Sequence, residues 1–402
     1  MNSELRVIGL MFFVLLLAAC SKDGDLPENT QPVINVYVYS PEHPMITRGD
    51  IGNVAAINNE SEIKTLQIWV FEHGTENLVS YYKPGTVNNL NDNKGVTYQL
   101  NVSEAFAKAK PKPTVDVYVV ANAASCGLTQ LTNYNPKAQD NETQHFRSVL
   151  EELKIGSAYF GLDPLTSAVP SNGLPMSGVL RDVAVTGSAP VFKISSVKLT
   201  RAVSKLRFIF SRDDAKEIKI NSIKLGGERT GGEKILTIPT EEYLFLPIDN
   251  SLYHVGSSYA DSETEFLSSS IESICKNNDP IKYTYQSGQN AQDYEKLIAE
   301  ALSKETPELT QVGPFYLRET DKKLAGTIRY QVEKTRSQQG QVTEWDTEKV
   351  ATFEMKTAGD FSRNHTWIVY AYYGVDGMQV ISVYIQDWEE LYTKKPHDVN
   401  NW

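Results

Sequence analysis

The stretch LAACSKDGDLPENTQPVINVYVYSPEHPMITRG, residues 17–49, contains the segment on which the fold depends. Its centre, Val33–Tyr39, consists almost entirely of β-branched and aromatic residues, which favour a β-strand. Because successive side chains of a strand point to opposite faces, one face carries three apolar residues, namely Ile34, Val36 and Val38. A Pro-rich loop ending in Arg48 follows. The order of a cysteine, a strand and an arginine predicts a first strand that can be cut away.

The N-terminus has the pattern of a bacterial lipoprotein signal peptide over residues 1–19. Arg6 precedes an apolar run that is too short to span a bilayer as a mature helix and ends in Leu-Ala-Ala-Cys. Cys20 is then expected to be diacylated and to become the mature N-terminus. The alternative, an ordinary signal peptide with an incidental cysteine, does not explain why the small residues and the cysteine stand where the lipoprotein peptidase requires them.

Length and composition indicate a mainly β protein of two domains. The chain has 402 residues, 41% of them hydrophobic, and short Thr-, Val- and Tyr-rich segments recur between Gly, Pro and Asn turns. Its formal net charge is -11, which argues against nucleic acid and anionic lipid as partners because an acidic surface repels both.

Several segments predict individual elements. Leu66–Phe71 alternates, with Leu66, Ile68 and Val70 on the face expected to pack on a core. Val115–Asn122 is apolar enough for a central strand. Ser103 is expected to cap a short helix that extends to Lys110 and is stopped by Pro111. Apolar residues at helical spacing predict another helix within residues 141–153.

The run from Val197 to Phe210 alternates, but neither of its faces stays apolar throughout. Such a strand is expected to pass from one environment to another. We therefore place a domain boundary near residue 195, between an N-terminal domain of residues 49–195 and a C-terminal domain of residues 196–402. The last strand, within Met378–Trp388, is followed by a polar tail.

Catalytic signatures are missing from the sequence, which predicts no enzyme, no cofactor and no metal site. The six histidines are scattered without metal-ligand spacing, and there is no GxSxG, GxxxxGK or CxxC motif. Arg48, Gly49 and Asp50 spell the tripeptide that animal integrins read, but a cut after Arg48 would destroy it. Export would permit a disulfide between Cys126 and Cys275, and two isolated thiols are an equal alternative.

Four short motifs after the lipobox cysteine resemble recurring segments of the fimbrillins, the type V pilin subunits of Bacteroidales, and occur in the same order. They are Pro175-Met176-Ser177-Gly178, Arg201-Ala202-Val203-Ser204-Lys205-Leu206, Phe315-Tyr316-Leu317-Arg318-Glu319 and Val383-Tyr384-Ile385-Gln386-Asp387-Trp388. The short segment of residues 21–25, SKDGD, also looks like the acidic signal that sends Bacteroidetes lipoproteins to the outer face of the outer membrane.

The resemblance implies two tandem transthyretin-like β-sandwich domains with a few short helices. It also implies that a trypsin-like arginine protease cuts between Arg48 and Gly49 and removes residues 20–48, the lipid-anchored propeptide with the first strand. A strand from another subunit, here Val380–Ile385, would fill the resulting groove. One departure is Gly49, since an alanine more often follows the cleaved arginine in this family.

Two functions from different classes remain open at this point. The first is a structural subunit of a surface fimbria, held in the outer membrane through Cys20 until cleavage and then part of the fimbrium. The second is a fimbrial anchor or tip protein, or a standing surface lipoprotein that binds a glycan or a host or bacterial surface ligand and keeps acylated Cys20. An exposed aromatic cluster drawn from Trp69, Tyr81, Tyr82 and Trp345 would favour the second, because sugars stack on flat rings.

Overall fold

The computed structural model describes residues 31–39, 60, 62–87, 95–137, 145–155, 165–166, 169–213, 215–228, 234–235, 238–248, 264–278, 297–298, 300–320, 324–354 and 362–387. The predicted fold class is confirmed: the protein is mainly β, with a few short helices. The strands of the first half are β1 (Val33–Tyr39), β2 (Leu66–Glu72), β3 (Leu78–Tyr82), β4 (Val96–Asn101), β5 (Val115–Ala121), β6 (Lys154–Ile155), β7 (Leu165–Thr166), β8 (Met176–Val183), β9 (Thr186–Ser188) and β10 (Val191–Lys193).

The remaining strands run from the centre of the chain towards its C-terminus. They are β11 (Val197–Lys198), β12 (Thr200–Arg201), β13 (Ser204–Arg212), β14 (Ile218–Leu225), β15 (Gly227–Glu228), β16 (Lys234–Ile235), β17 (Glu242–Tyr243), β18 (Thr264–Glu265), β19 (Thr310–Leu317), β20 (Ala325–Arg336), β21 (Val342–Trp345), β22 (Lys349–Glu354), β23 (His365–Gly374) and β24 (Gly377–Asp387). The helices whose bounds lie within the described residues are α1 (Glu104–Lys108), the 3₁₀ helix Ala123–Cys126, α2 (Thr129–Thr132) and α3 (Phe146–Glu152).

Four larger sheets pack in two pairs. In the first pair, the sheet β11-β1-β10-β9, with β4 beside β1, faces the sheet β12-β8-β5-β2-β3. In the second pair, the sheet β24-β23-β13-β19-β7 faces the sheet β18-β14-β20-β21, with β22 beside β20. Each pair encloses its own apolar core, and each core draws buried residues from both of its sheets. The architecture is therefore two β-sandwiches.

Local sequence signals explain several elements. Ser103 caps α1 as predicted, since its Oγ accepts a hydrogen bond from the backbone N of Phe106 at 3.1 Å. Strand β5 is buried along its whole length and lies between β2 and β8, which confirms its predicted central place. Helix α3 begins at Phe146 and lies within the predicted range.

Strand β2 departs from the simple alternation expected for it. Leu66, Ile68 and Val70 pack in the core of the first sandwich as predicted, but the opposite face is buried too. Trp69 and Phe71 belong to a second cluster that includes residues of α2 and α3. Alternation showed which residues share a face, but it could not show that helices cover the second face.

The run from Val197 to Arg212 contributes strands to three sheets in succession. Strand β11 pairs with β1, β12 pairs with β8, and β13 lies between β19 and β23 in the second sandwich. The predicted passage from one environment to another is confirmed. It explains the mixed character of both faces, because different parts of the run contact different cores.

Candidate functional site: the first strand and its surroundings

Strand β1 is an internal strand with neighbours on both edges. On one edge it pairs antiparallel with β4 through six residue pairs, from Val33 opposite Asn101 to Val38 opposite Val96. On the other edge it runs parallel to β10 at its start and to β11 at its end. Removing β1 would therefore leave unpaired backbone groups on both sides of a slot in the sheet.

The inward face of β1 fills the core of the first sandwich. Ile34, Val36 and Val38 are each 0% exposed, which confirms that these side chains share one buried face. Full burial of such a side chain contributes about 1.5–3 kcal/mol, so the three together contribute at most roughly 5–9 kcal/mol. Loss of β1 would open an apolar trench along the core.

The outward face of β1 carries a tyrosine that covers a glycine. The backbone N of Gly95 donates a hydrogen bond to the Tyr37 hydroxyl at 3.0 Å. A Cβ built on Gly95 would lie 2.2 Å from Cζ of Tyr37, so the ring occupies the space that any side chain at residue 95 would need. The ring of Tyr39 lies next along the strand, with its centroid 6.1 Å from that of Tyr37. Burial and the neighbouring Tyr37 raise the pKa of Tyr39.

The predicted lipidation and processing residues, Cys20, Arg48 and Gly49, lie outside the described residues. The two other cysteines are inside them and are not joined: Cys126 is a buried free thiol, and Cys275 is a half-buried free thiol. Burial raises the pKa of Cys126 to about 12, so this thiol is held in its unreactive protonated form.

A buried ionic cluster joins Glu60, which follows the predicted processing residues in the sequence, to both sandwiches. Glu60 is 1% exposed, and its Oε2 lies 2.8 Å from Nζ of Lys205 in β13. Its Oε1 accepts a hydrogen bond from the Tyr316 hydroxyl of β19 at 2.7 Å. Nε of Arg201 in β12 donates to the backbone O of Glu60 at 3.2 Å, and Nη1 of Arg201 donates to Asn364 at 3.0 Å.

The charge of Glu60 is stabilised by this arrangement. Burial alone would raise its pKa, but Lys205, Arg207 and the hydrogen bonds from Lys205 and Tyr316 outweigh burial and lower the pKa below the ordinary value. Glu60 is therefore a buried carboxylate that needs its cations. The sequence analysis did not identify Glu60 as the partner of these cations. The cations themselves, Arg201, Lys205 and Arg207, lie in an otherwise apolar run and indicated that a counter-ion must lie nearby, because buried cations require one.

A second buried ionic cluster lies beside β17, the strand that pairs with β6. Strand β17 pairs with β6, and the Glu242 Oε2 lies 3.2 Å from Nη2 of Arg363. The backbone N of Arg363 donates to Glu319 at 3.0 Å. Burial raises the pKa of Glu242 to about 7, and the nearby Glu319 also raises it, while Arg363 acts in the opposite direction.

The aromatic residues proposed as a glycan platform do not form one. Trp69 is 0% exposed, and its ring lies against Tyr81, Tyr134 and Phe146 inside the cluster under the helices. Trp69 therefore contributes nothing to an exposed aromatic cluster. Trp345 is in the other sandwich, where Nζ of Lys219 lies 6.0 Å from its ring centroid.

Strand β24 forms one border of its sheet. It pairs antiparallel with β23 from His365 opposite Asp387 to Gly374 opposite Gly377. Among the described strands, no other pairs with β24. One edge of its backbone therefore has no strand beside it there.

Two features are absent from the part of the chain that the structure describes. Within the described ranges, no helix combines the length and the apolar character needed to cross a membrane. Over the same ranges, no three His, Cys, Asp or Glu side chains come together in a way that could hold a metal ion.

Residues 47–222 match the family model of the major fimbrial subunit protein FimA. The fimbrillin resemblance is confirmed. This FimA match begins beside Arg48 and includes β2 to β13, Glu60 and its partners Arg201 and Lys205. The family is one of structural fimbrial subunits and not a class of enzymes.

Solved structures of fimbrial proteins are also similar to the FimA-like chain. A fimbrilin from Porphyromonas gingivalis is 12% identical, with 88% of this chain and 92% of that chain covered and a TM-score of 0.41. The tip fimbrial protein Mfa3 from Porphyromonas gingivalis is 15% identical, with coverages of 89% and 100% and a TM-score of 0.41. A fimbrial assembly protein from Parabacteroides distasonis is 13% identical, with coverages of 89% and 99% and a TM-score of 0.41. No curated protein matches the chain.

Proposed function

We propose that this protein is a structural subunit of a surface fimbria that is exported as a lipoprotein on Cys20, cleaved after Arg48, polymerised by strand exchange and used in adhesion. The observation that carries the proposal is the internal position of β1. This strand fills a core and has partners on both edges, yet it belongs to the short segment between the lipidated cysteine and the arginine.

A single cut after Arg48 would have two consequences in this arrangement. It would release the chain from its lipid anchor, because Cys20 precedes the cut. It would also remove the covalent link that holds β1 beside β4, β10 and β11. The remaining sheet would expose backbone groups and an apolar trench that only another extended chain can satisfy.

Strand β24 is the proposed donor to the groove of another subunit. Among the described strands of its own subunit it pairs with β23 alone, along one edge, whereas the groove left by β1 offers a partner on each edge. Moving from a border position to an internal one satisfies a second row of N–H and C=O groups, which favours exchange. The partners are then other fimbrial subunits, and the location after cleavage is the fimbrium.

The alternative is a fimbrial anchor or tip protein, or a standing surface lipoprotein that binds a glycan or host ligand and keeps acylated Cys20. The internal position of β1 also supports this alternative. With β1 in place the first sandwich is complete, so the uncut protein needs no second subunit to close its sheet.

The deciding experiment determines the N-terminal residue of the protein recovered from the cell surface, by mass spectrometry, together with its polymer state. We expect a start at Gly49 and polymers for the wild type, and a start at acylated Cys20 with monomers for Arg48→Ala. Lys193→Ala is the control, because it removes an exposed cation of β10 and leaves Arg48 intact. A wild-type start at acylated Cys20 would overturn cleavage and favour the anchor or standing lipoprotein.

A further inference from the structure

The chain contains a second copy of its own first strand. Residues 33–39 read Val-Ile-Asn-Val-Tyr-Val-Tyr, and residues 380–386 of β24 read Val-Ile-Ser-Val-Tyr-Ile-Gln. Four of the seven positions are identical, and a fifth replaces one β-branched aliphatic residue, Val38, with another, Ile385. The two segments lie at opposite ends of the protein and pair with different sheets.

The positions of β1 that match β24 are those whose side chains fill the core or cover Gly95. Ile34, Val36 and Val38, which fill the core, correspond to Ile381, Val383 and Ile385. Tyr37, which covers Gly95, corresponds to Tyr384. The positions that differ in chemistry correspond to Asn35 and Tyr39, which lie on the outer face and are only half-buried.

The contact between Tyr37 and Gly95 supplies what the apolar face lacks, namely a fixed register. Apolar alternation repeats every two residues, so a strand could slide by two and still point aliphatic side chains inward. Gly95 has no side chain, and the ring of Tyr37 fills the space that a side chain would occupy. The hydroxyl of Tyr37 accepts a hydrogen bond from the backbone N of Gly95. In residues 380–386 only Tyr384 can make this contact.

We infer that residues 380–386 of one subunit take the place of residues 33–39 in the next subunit, in the same direction and register, with Tyr384 over Gly95. This inference rests on the proposed strand exchange and adds the register, the direction and the residue that selects them. The incoming strand runs antiparallel to β4 and parallel to β10 and β11, as β1 does. Slips by two residues are disfavoured because they would place Ser382 or Gln386 over Gly95.

Cysteine cross-linking on assembled fimbriae tests the register. Asn35 stands opposite Gln99 in β4, so the inference places Ser382 of the next subunit opposite Gln99. Directly opposed residues of an antiparallel pair are close enough for a disulfide. The full-length chain would carry Ser382→Cys and Gln99→Cys, with Cys275→Ser to remove the half-buried thiol, and would be oxidised with copper phenanthroline.

We expect intersubunit disulfides for the pair 382–99 and none for two matched controls. The controls replace Gln99→Cys by Thr97→Cys or Asn101→Cys, two residues to either side on the same exposed face of β4. Cross-linking through Thr97→Cys or Asn101→Cys instead would overturn the register. Polymers that form without any of the three cross-links would overturn the direction and register but leave strand exchange in place. Protein that is cut after Arg48 and forms no polymer would refute the proposed function itself.

Substitution of the tyrosine provides an independent readout. Tyr384→Ala should slow polymerisation of the cleaved full chain by at least about tenfold, because it removes a ring contact and a hydrogen bond. Tyr37→Ala is the matched control: it should not slow polymerisation of the cleaved chain, since Tyr37 leaves with β1. Equal polymerisation rates for Tyr384→Ala and the wild type would overturn the role of Tyr384.

Discussion

Replacement of Glu60 by glutamine should destabilise both sandwiches at once. The change keeps the size of the side chain and its ability to accept the hydrogen bond from Tyr316, but it removes the negative charge 2.8 Å from Nζ of Lys205. Lys205 is 4% exposed and would lose this buried charged partner. Removal of one member of a buried ion pair is among the more destabilising changes that a single substitution can make.

The magnitude follows from the burial of both partners. Breaking a buried ion pair by removing one member costs roughly 3–5 kcal/mol. Because the amide retains one of the two hydrogen bonds to the carboxylate and Arg207 remains nearby, we expect about 3 kcal/mol for Glu60→Gln. The loss should reach both halves of the protein because residue 60 remains bound to the first sandwich through its backbone O, which accepts a hydrogen bond from Nε of Arg201, so a displacement of its side chain away from Lys205 also disturbs that contact.

The assay is urea denaturation of the full-length protein followed by tryptophan fluorescence. Trp69 is fully buried and is the one tryptophan of the first half of the sequence, so Trp69→Phe leaves the tryptophans of the second half, and the difference from the unsubstituted protein reports the first sandwich. Glu60→Gln should lower both midpoints. In a double-mutant cycle, Glu60→Gln with Lys205→Met should be less destabilised than the sum of the single variants, by about 2 kcal/mol or more.

Two results would refute this reasoning. The first is a stability of Glu60→Gln within about 0.5 kcal/mol of the wild type, which is the range of an ordinary surface substitution. The second is strict additivity in the cycle, which would mean that Glu60 and Lys205 do not depend on each other. A loss confined to one tryptophan's transition would contradict the role of the cluster as a junction between the sandwiches.

Three further predictions follow from single side chains. Val36→Ala should destabilise the uncut chain by about 2 kcal/mol and leave the cleaved chain unchanged, whereas Val332→Ala in the other core should destabilise both; equal effects of Val36→Ala on both forms would contradict removal of β1. Folding raises the pKa of Glu242 from 4.5 to about 7. Between pH 4.5 and about pH 7 the folded state therefore holds a proton that the unfolded chain has lost, so the free energy of unfolding falls as the pH rises through this range. Glu242→Gln should flatten this slope in urea denaturation at pH 5 and at pH 8, and an unchanged slope would assign it to other groups. Gly326→Ala should lower the thermal midpoint, since its Cβ would lie 2.1 Å from the Lys224 carbonyl, while Gly85→Ala, with nothing within 4 Å, should not; equal midpoints would show that the neighbours can move apart.

Local patterns predicted the elements that depend on local chemistry. The alternation of Leu66, Ile68 and Val70 matches the core-facing residues of β2, and the Ser103 cap marks the start of α1. In these segments a single periodicity or a single capping residue favours one secondary structure over the others. The hydrogen bond from Phe106 to Ser103 involves groups only three residues apart, which is why sequence reasoning reached it.

Contacts between distant segments were out of reach for the same reasoning. Glu60 is separated by 145 residues from Lys205 and by 256 from Tyr316, and nothing in a single sequence pairs a given carboxylate with a given cation. The burial of Trp69 depends on helices that follow β5, so its alternation within β2 could not distinguish a covered face from an exposed one. Periodicity specifies faces, and topology decides what covers them.

The position of Glu60 also explains how the proposed cut could remove one strand without loosening the next. After cleavage, β2 would be separated from the new N-terminus by only a short segment, which could fray if β1 had held it in place. Instead, Asn122 binds this segment directly: its Oδ1 accepts from the backbone N of Lys64 at 2.8 Å, and its Nδ2 donates to the backbone O of Glu62 at 2.9 Å. Asn122 is itself fully buried and lies in the left-handed backbone region, with φ 57°, at the end of the central strand β5. Because neither Asn122 nor Glu60 relies on β1 for these bonds, the facing sheet across the core from the groove would keep its shape while the occupant of the groove is exchanged.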